Sequence, residues 1–111
     1  MTVERILEDA IETVKQGWTQ GHMAVDAEWH DVDPTDSSAC RRCLVGALRK
    51  AVVDNGGTVS LVEDSSFTRM ASTMKNIAGT ERMSVWNDDK DRTQEDVVNL
   101  LKSVKLLQMV R

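Results

Sequence analysis

Apolar residues recur at 3-4-3-4 spacing in four separate stretches of this chain, a pattern that suits the helix and not the strand. In the first, Val3, Ile6, Leu7, Ala10, Ile11 and Val14 share one face of a helix over residues 3–16. Thr2 can cap it, because its hydroxyl can accept from an otherwise unpaired backbone N–H. Glu4 sets negative charge at the positive end of the helix dipole, and Gly17 closes the helix. The second stripe is Cys40, Cys43, Leu44, Ala47, Leu48, Ala51 and Val52. Pro34 and the cap candidates Thr35, Asp36, Ser37 and Ser38 precede it, and Asn55-Gly56-Gly57 ends it. Gly46 lies inside that stripe at a cost of about 1 kcal/mol relative to Ala, which close approach of another helix would offset. The third stripe is Phe67, Met70, Ala71, Met74, Ile77 and Ala78, stopped by Gly79. Its start is open: Ser60 with Glu63 fits a capping box, Asp64 fits a later cap, and residues 58–62 also suit a short extended piece. In the fourth, Thr93 is the cap, Asp96 stands where a carboxylate helps, and Val97, Leu100, Leu101, Val104 and Leu107 form the buried stripe.

Two connections break the rhythm. Trp18–Gly21 reads as a turn, and Met23–Val25 with Trp29–Val32 suits a small β-hairpin, although Asp26-Ala27-Glu28 lacks the Gly or Asn that tight hairpin turns prefer. Residues 80–92 form a second irregular connection around Val85-Trp86-Asn87-Asp88-Asp89. No repeat or low-complexity tract interrupts the chain. The expected fold is mainly α, a compact bundle of about four helices in one domain, 1–111, with a small hairpin between the first and second helices.

A compact chain of 111 residues buries enough surface, roughly 65% of the unfolded chain's, for one core without staples. The formal net charge of −4 argues against a nucleic-acid partner. No apolar run reaches the ~18 residues of a membrane span. The N-terminus places Glu4, Arg5, Glu8 and Asp9 among its apolar residues, unlike a signal peptide, so a cytoplasmic protein is expected.

The chemistry-bearing residues give competing readings. Cys40-Arg41-Arg42-Cys43 is a C-x-x-C, which at a helix start can be a redox pair; but both cysteines fall on an apolar stripe, where Cys packs as a small hydrophobe. His22 and His30 do not complete a zinc-finger spacing with them, and no metal or cofactor is expected. Asp26, Glu28, Asp31, Asp33 and Asp36 fail the calcium-loop pattern and read as a solvated acidic loop. Arg41, Arg42, Arg49 and Lys50 read as the outward side of the second helix, available for ion pairs. Trp86-Asn87-Asp88 with Arg92-Thr93 either shapes the start of the last helix or, with Gln20, His22 and Asp26, builds a ligand pocket. Val98, Leu106, Met109 and Val110 widen the apolar surface of the last helix. Either that helix is central to the bundle, or its second face binds another protein or a second copy of the chain. No base–nucleophile–orienter set follows from spacing.

In order, these motifs are Gly17-Trp18, Gln20-Gly21, Asp26, Val32 with Pro34, Cys43-x-x-Gly46-Ala47-Leu48, Trp86-Asn87-Asp88, Arg92-Thr93 and Val97 with Leu100-Leu101. Together they resemble a domain-of-unknown-function family from actinobacteria and their bacteriophages. The family pattern carries a Gly in the hairpin turn where Glu28 or a neighbour stands here, and an apolar residue at Cys40, which weakens the redox reading. The resemblance implies a cytoplasmic, phage-encoded protein and no particular activity. The leading functional expectation is binding to a host protein, or self-association as a homodimer. The alternative is a small ligand-binding domain or enzyme built from segments 18–32 and 86–93.

Overall fold

The computed structural model describes residues 2–57 and 65–109. Its elements are α1 (Val3–Gln16), β1 (Ala24–Val25), β2 (Arg41–Arg42), α2 (Leu44–Asp54), α3 (Ser65–Ala78), α4 (Met83–Asn87) and α5 (Gln94–Met109). The molecule is mainly helical, with a two-stranded antiparallel sheet between α1 and α2, as the spacing predicts.

Helix α1 forms where its stripe requires. The Arg5 N–H donates to Thr2 Oγ1 at 3.1 Å, and the Gly17 N–H reaches back to the Thr13 and Val14 carbonyls. Helix α5 starts with the reciprocal cap: the Asp96 N–H donates to Thr93 Oγ1 at 3.1 Å, and the Thr93 N–H donates to Asp96 Oδ2 at 3.0 Å. Helix α1 packs between α2 and α5, and α3 covers another side of α5. Leu7, Leu44, Met70, Met74, Leu101 and Val104 fill the core between them. Taking each such side chain fully out of water contributes about 1.5–3 kcal/mol. The Gln94 side chain donates to the Val14 carbonyl at 2.6 Å, and Lys105 pairs with Glu8 at 3.2 Å, so α1 and α5 run antiparallel.

The α1–α2 connection departs from expectation in three ways. First, α2 begins at Leu44, so Cys40, Arg41 and Arg42 are not helical. Their backbone is taken by other partners: the Cys40 N–H donates to the Val25 carbonyl, Arg42 N–H to Gly17, and Cys43 N–H to Met23, each at 3.0 Å. Cys43 is the N-cap, its sulfur accepting from the Gly46 N–H at 3.3 Å. Arg41 and Arg42 therefore do not share an outer helix face with Arg49 and Lys50. Second, β1 takes β2 as its strand partner, pairing Ala24 with Arg42 and Val25 with Arg41. The Trp29–Val32 arm returns along the other edge, through a Val25–Asp31 bridge and a Val32 N–H bond to the Ala24 carbonyl at 3.2 Å. Third, Gly46 admits the loop backbone just before β1 and not a helix: a Cβ there would overlap the Met23 carbonyl oxygen. The Cβ of any residue at Gly17 would likewise strike the Cys40 carbonyl.

Two further corrections concern the C-terminal half. The 80–92 connection contains a short helix, α4, too brief for periodicity to reveal. Val98, expected on an outward face, is 7% exposed and belongs to the core. The position of α5 between α1 and α3 accounts for Val98, whereas Leu106 stays exposed. The alternatives for the α3 start at Ser60, Glu63 and Asp64, the 58–62 segment, the side chains of Phe67 and Met109, and Val110 lie outside the described residues.

Candidate functional site

The polar motifs converge on Asn87. This side chain is fully buried at the end of α4, and all of its hydrogen-bonding capacity is engaged. Its Oδ1 accepts from the Trp18 indole N–H at 2.8 Å and from the Leu44 backbone N–H at 3.0 Å. Its Nδ2 donates to the Thr19 carbonyl at 3.2 Å and to Asp88 Oδ1 at 3.1 Å. Beside it, Gln20 Nε2 donates to the Asn87 carbonyl at 3.0 Å and the Asp89 carbonyl at 2.7 Å. Asp88 Oδ1 also accepts from the Gly21 N–H at 3.0 Å. The α1 exit, the first turn of α2 and the end of α4 are thus fastened by one amide. The Leu44 N–H is among the N-terminal donors that a helix leaves unpaired, so Asn87 also completes the start of α2.

Of the six residues considered for a ligand pocket, Gln20, Asn87 and Asp88 therefore meet, and what they grip is the chain itself. The other three stand elsewhere. His22 Nδ1 lies 3.2 Å from Asp31 Oδ1 on the surface. Asp26 accepts from the Glu28 and His30 N–H groups, both at 2.9 Å, within its own turn. Arg92 lies over Trp86, its guanidinium carbon 3.9 Å from the ring centroid, and its Nε donates to the Trp86 carbonyl at 2.9 Å. Trp86 packs against the core, bracing the approach to α5.

The acidic loop is held open by local bonds. The bonds Asp26 receives from His30 and Glu28 stabilise its carboxylate, and bonds from Thr35 and Ser38 do the same for Asp33 and Asp36. All three titrate below the usual carboxylate range. At the tip Trp29 adopts φ 68°, in the left-handed region, and its side chain is 60% exposed. The Arg41 guanidinium covers one face of its ring at 4.0 Å from the centroid. Sequence reasoning missed two residues here. Arg42 is buried at 4% exposure and holds the loop by donating from Nε to the Pro34 carbonyl at 2.7 Å and from Nη2 to Ala39 at 3.3 Å. Burial lowers its pKa from the ordinary arginine value. Trp29 itself carried one signal, the absence of a Gly or Asn from a turn that needs a positive φ.

The two cysteines have different environments. Cys43 is buried, and burial pushes its thiol pKa up. Cys40 is exposed on the approach to β2, its sulfur 3.7 Å from the Val25 carbonyl and 3.6 Å from Arg41 Nη1. A raised thiol pKa is the reverse of what a redox nucleophile requires. Among the described residues no cluster of three or more His, Cys, Asp or Glu is arranged to hold a metal ion. No described helix is long and apolar enough to cross a membrane.

On α5, Leu106 is 62% exposed and borders a cleft of about 810 Å³ against α1, lined also by Ile11, Glu8, Glu12 and Lys102. Leu107, expected on the buried stripe, is 41% exposed. Searches of curated proteins and of solved structures gave no match to the chain. A family model matches residues 1–105, a span that includes every contact of the Asn87 clasp, and the chain belongs to that family, DUF6197, a family of unknown function.

Proposed function

We propose that this chain is a cytoplasmic, phage-encoded protein that acts by binding a protein of its host, with Trp29 at the centre of the contact. The observation that carries this reading is a tryptophan 60% exposed on left-handed backbone. That conformation costs a non-glycine residue about 1–2 kcal/mol, so the loop holds the indole outward against its own conformational preference. Tryptophan is enriched among the few residues that dominate protein–protein binding energy. Residues 26–36 add five carboxylates, and no Lys or Arg occurs between Lys15 and Arg41, so the loop suits a partner with a basic face. Two copies meeting through this loop would set acid against acid, which favours a different chain over a second copy. The engagement of Gln20, Asn87 and Asp88 with one another supports binding over catalysis.

The test compares the wild-type chain with Trp29→Gly as bait in an actinobacterial lysate, followed by affinity measurement on a purified captured protein at low and high salt. The expected result is a loss of more than about tenfold in affinity for the variant, and weaker binding at high salt. Equal affinity for the two baits would defeat the proposal. So would a salt-resistant homodimer that survives Trp29→Gly.

A further inference from the structure

We infer that the cleft between α3, α4 and the first turns of α5 binds a small aliphatic amino acid as its zwitterion. This inference does not rest on the Trp29 reading, and it concerns a different face of the molecule. The cleft has a volume of about 250 Å³ and is walled by Trp86, Arg92, Asp96, Ser103, Leu100 and Ile77.

Arg92 supplies the first recognition element. Its flat face lies on Trp86 and its Nε is fixed to the Trp86 carbonyl. Among the described residues nothing accepts from its two Nη groups. A guanidinium already held at its face and base, with its terminal nitrogens unused, loses little freedom on gripping a planar carboxylate. Asp96 supplies the second. Its Oδ2 accepts from the Thr93 N–H, which fixes the carboxylate, while Oδ1 takes no protein donor among the described residues. Arg92 and Asp96 line one cleft without forming an ion pair. A ligand that carries both charges in reverse, a carboxylate for Arg92 and an ammonium for Asp96, would satisfy the two together.

The remaining wall is apolar. Leu100 forms the floor at 5% exposure, and Ile77, at the end of α3, is 42% exposed. An aliphatic side chain laid between them would cover Ile77.

The experiment is a titration of the isotope-labelled chain with L-leucine, followed by backbone amide shifts. Two analogues each lack one charge: 4-methylpentanoate lacks the ammonium, and isopentylamine lacks the carboxylate. The expected result is saturable shifts at Ile77, Asp96 and Ser103, with each analogue binding at least about tenfold more weakly. Arg92→Lys keeps the charge, loses the fork and weakens binding by a similar factor. Ser103→Trp, a change at an exposed position on α5, fills the cleft and abolishes the shifts while the melting temperature holds. Absence of saturable shifts up to about 20 mM leucine, roughly twentyfold above a millimolar dissociation constant, would overturn the inference. It is also overturned if 4-methylpentanoate binds as well as leucine, or if Ser103→Trp leaves binding intact.

Discussion

Trp18 and Trp29 belong to the same connection between α1 and α2, and they are held in opposite ways. The Trp18 indole packs on the core and donates to a buried amide at 2.8 Å. The Trp29 indole stands 60% in water, on left-handed backbone, with only the Arg41 guanidinium over it. Around Trp18 the partners lie far along the chain, Asn87 of α4 and Arg42 of β2. Around Trp29 the bonds are made within a few residues, by carboxylates to nearby N–H groups. A region closed by distant partners fixes the fold. A region shaped by its own short turns can change its surface without disturbing the core.

Five measurements press on this contrast. The largest effect is expected from Asn87→Ala. It leaves the Trp18 and Leu44 donors and the Thr19 carbonyl without their partner in a buried place, and the loss should reach about 3–5 kcal/mol. Against a total stability of about 5–15 kcal/mol, urea unfolding will register this as a large drop in midpoint. A drop no greater than that of a surface substitution would remove the clasp from the account of the fold.

Gly46→Ala should follow at about 1–3 kcal/mol, because the new methyl meets the Met23 carbonyl and must push β1 away from α2. Trp29→Gly inverts the sign. It relieves left-handed strain, by up to about 1–2 kcal/mol, and removes an exposed stacking contact of about 0.5–1 kcal/mol. Net stability should hold or rise slightly in the same urea assay. A clear destabilisation would show that the Trp29 loop is part of the core's support.

Thiol labelling at neutral pH should modify Cys40 alone, with Cys43 reacting only after unfolding; mass spectrometry of the labelled chain counts the adducts. The sign for stability follows from the raised Cys43 pKa. The folded state keeps that proton longer, so the contribution is fully present below the ordinary thiol pKa and is lost as pH rises through the folded value. The smallest effect concerns acid. Asp26, Asp33 and Asp36 have lowered values in the folded chain, so their contribution is present above the usual carboxylate range and is lost as pH falls through the folded values, below about pH 4. Amide shifts of Glu28, His30, Thr35 and Ser38 should move in that window while the Leu44 amide, bonded to a neutral side chain, stays in place.

The helices were legible where a stripe and a cap agreed, as at Thr2 with Val3–Val14 and at Thr93 with Asp96. The start of α2 was not, because Cys40 and Cys43 continue the helical spacing by coincidence of composition while their backbone joins a sheet. Gly46 signals a close neighbour, but spacing cannot say whether a helix or a loop approaches. Helix α4 spans little more than one turn, so its apolar residues cannot repeat. Among the candidate site residues, the meeting of Gln20, Asn87 and Asp88 was anticipated as a constellation, but its meaning depended on burial. An amide in a pocket and an amide in a seam look identical in sequence. Trp29 is the reverse case: the missing Gly or Asn marks the turn as unusual, but does not say which residue takes the positive φ.

The bond from Gln94 to the Val14 carbonyl has a consequence for how the chain is made. Helix α1 precedes α5 in the chain and has its most extensive contact with it, so although α2 covers part of its apolar face, that face is fully covered only once α5 is made. Closing so long a loop early is entropically costly and slows folding. Until then part of the stripe of Ile6, Leu7, Ile11 and Val14 waits for its native cover.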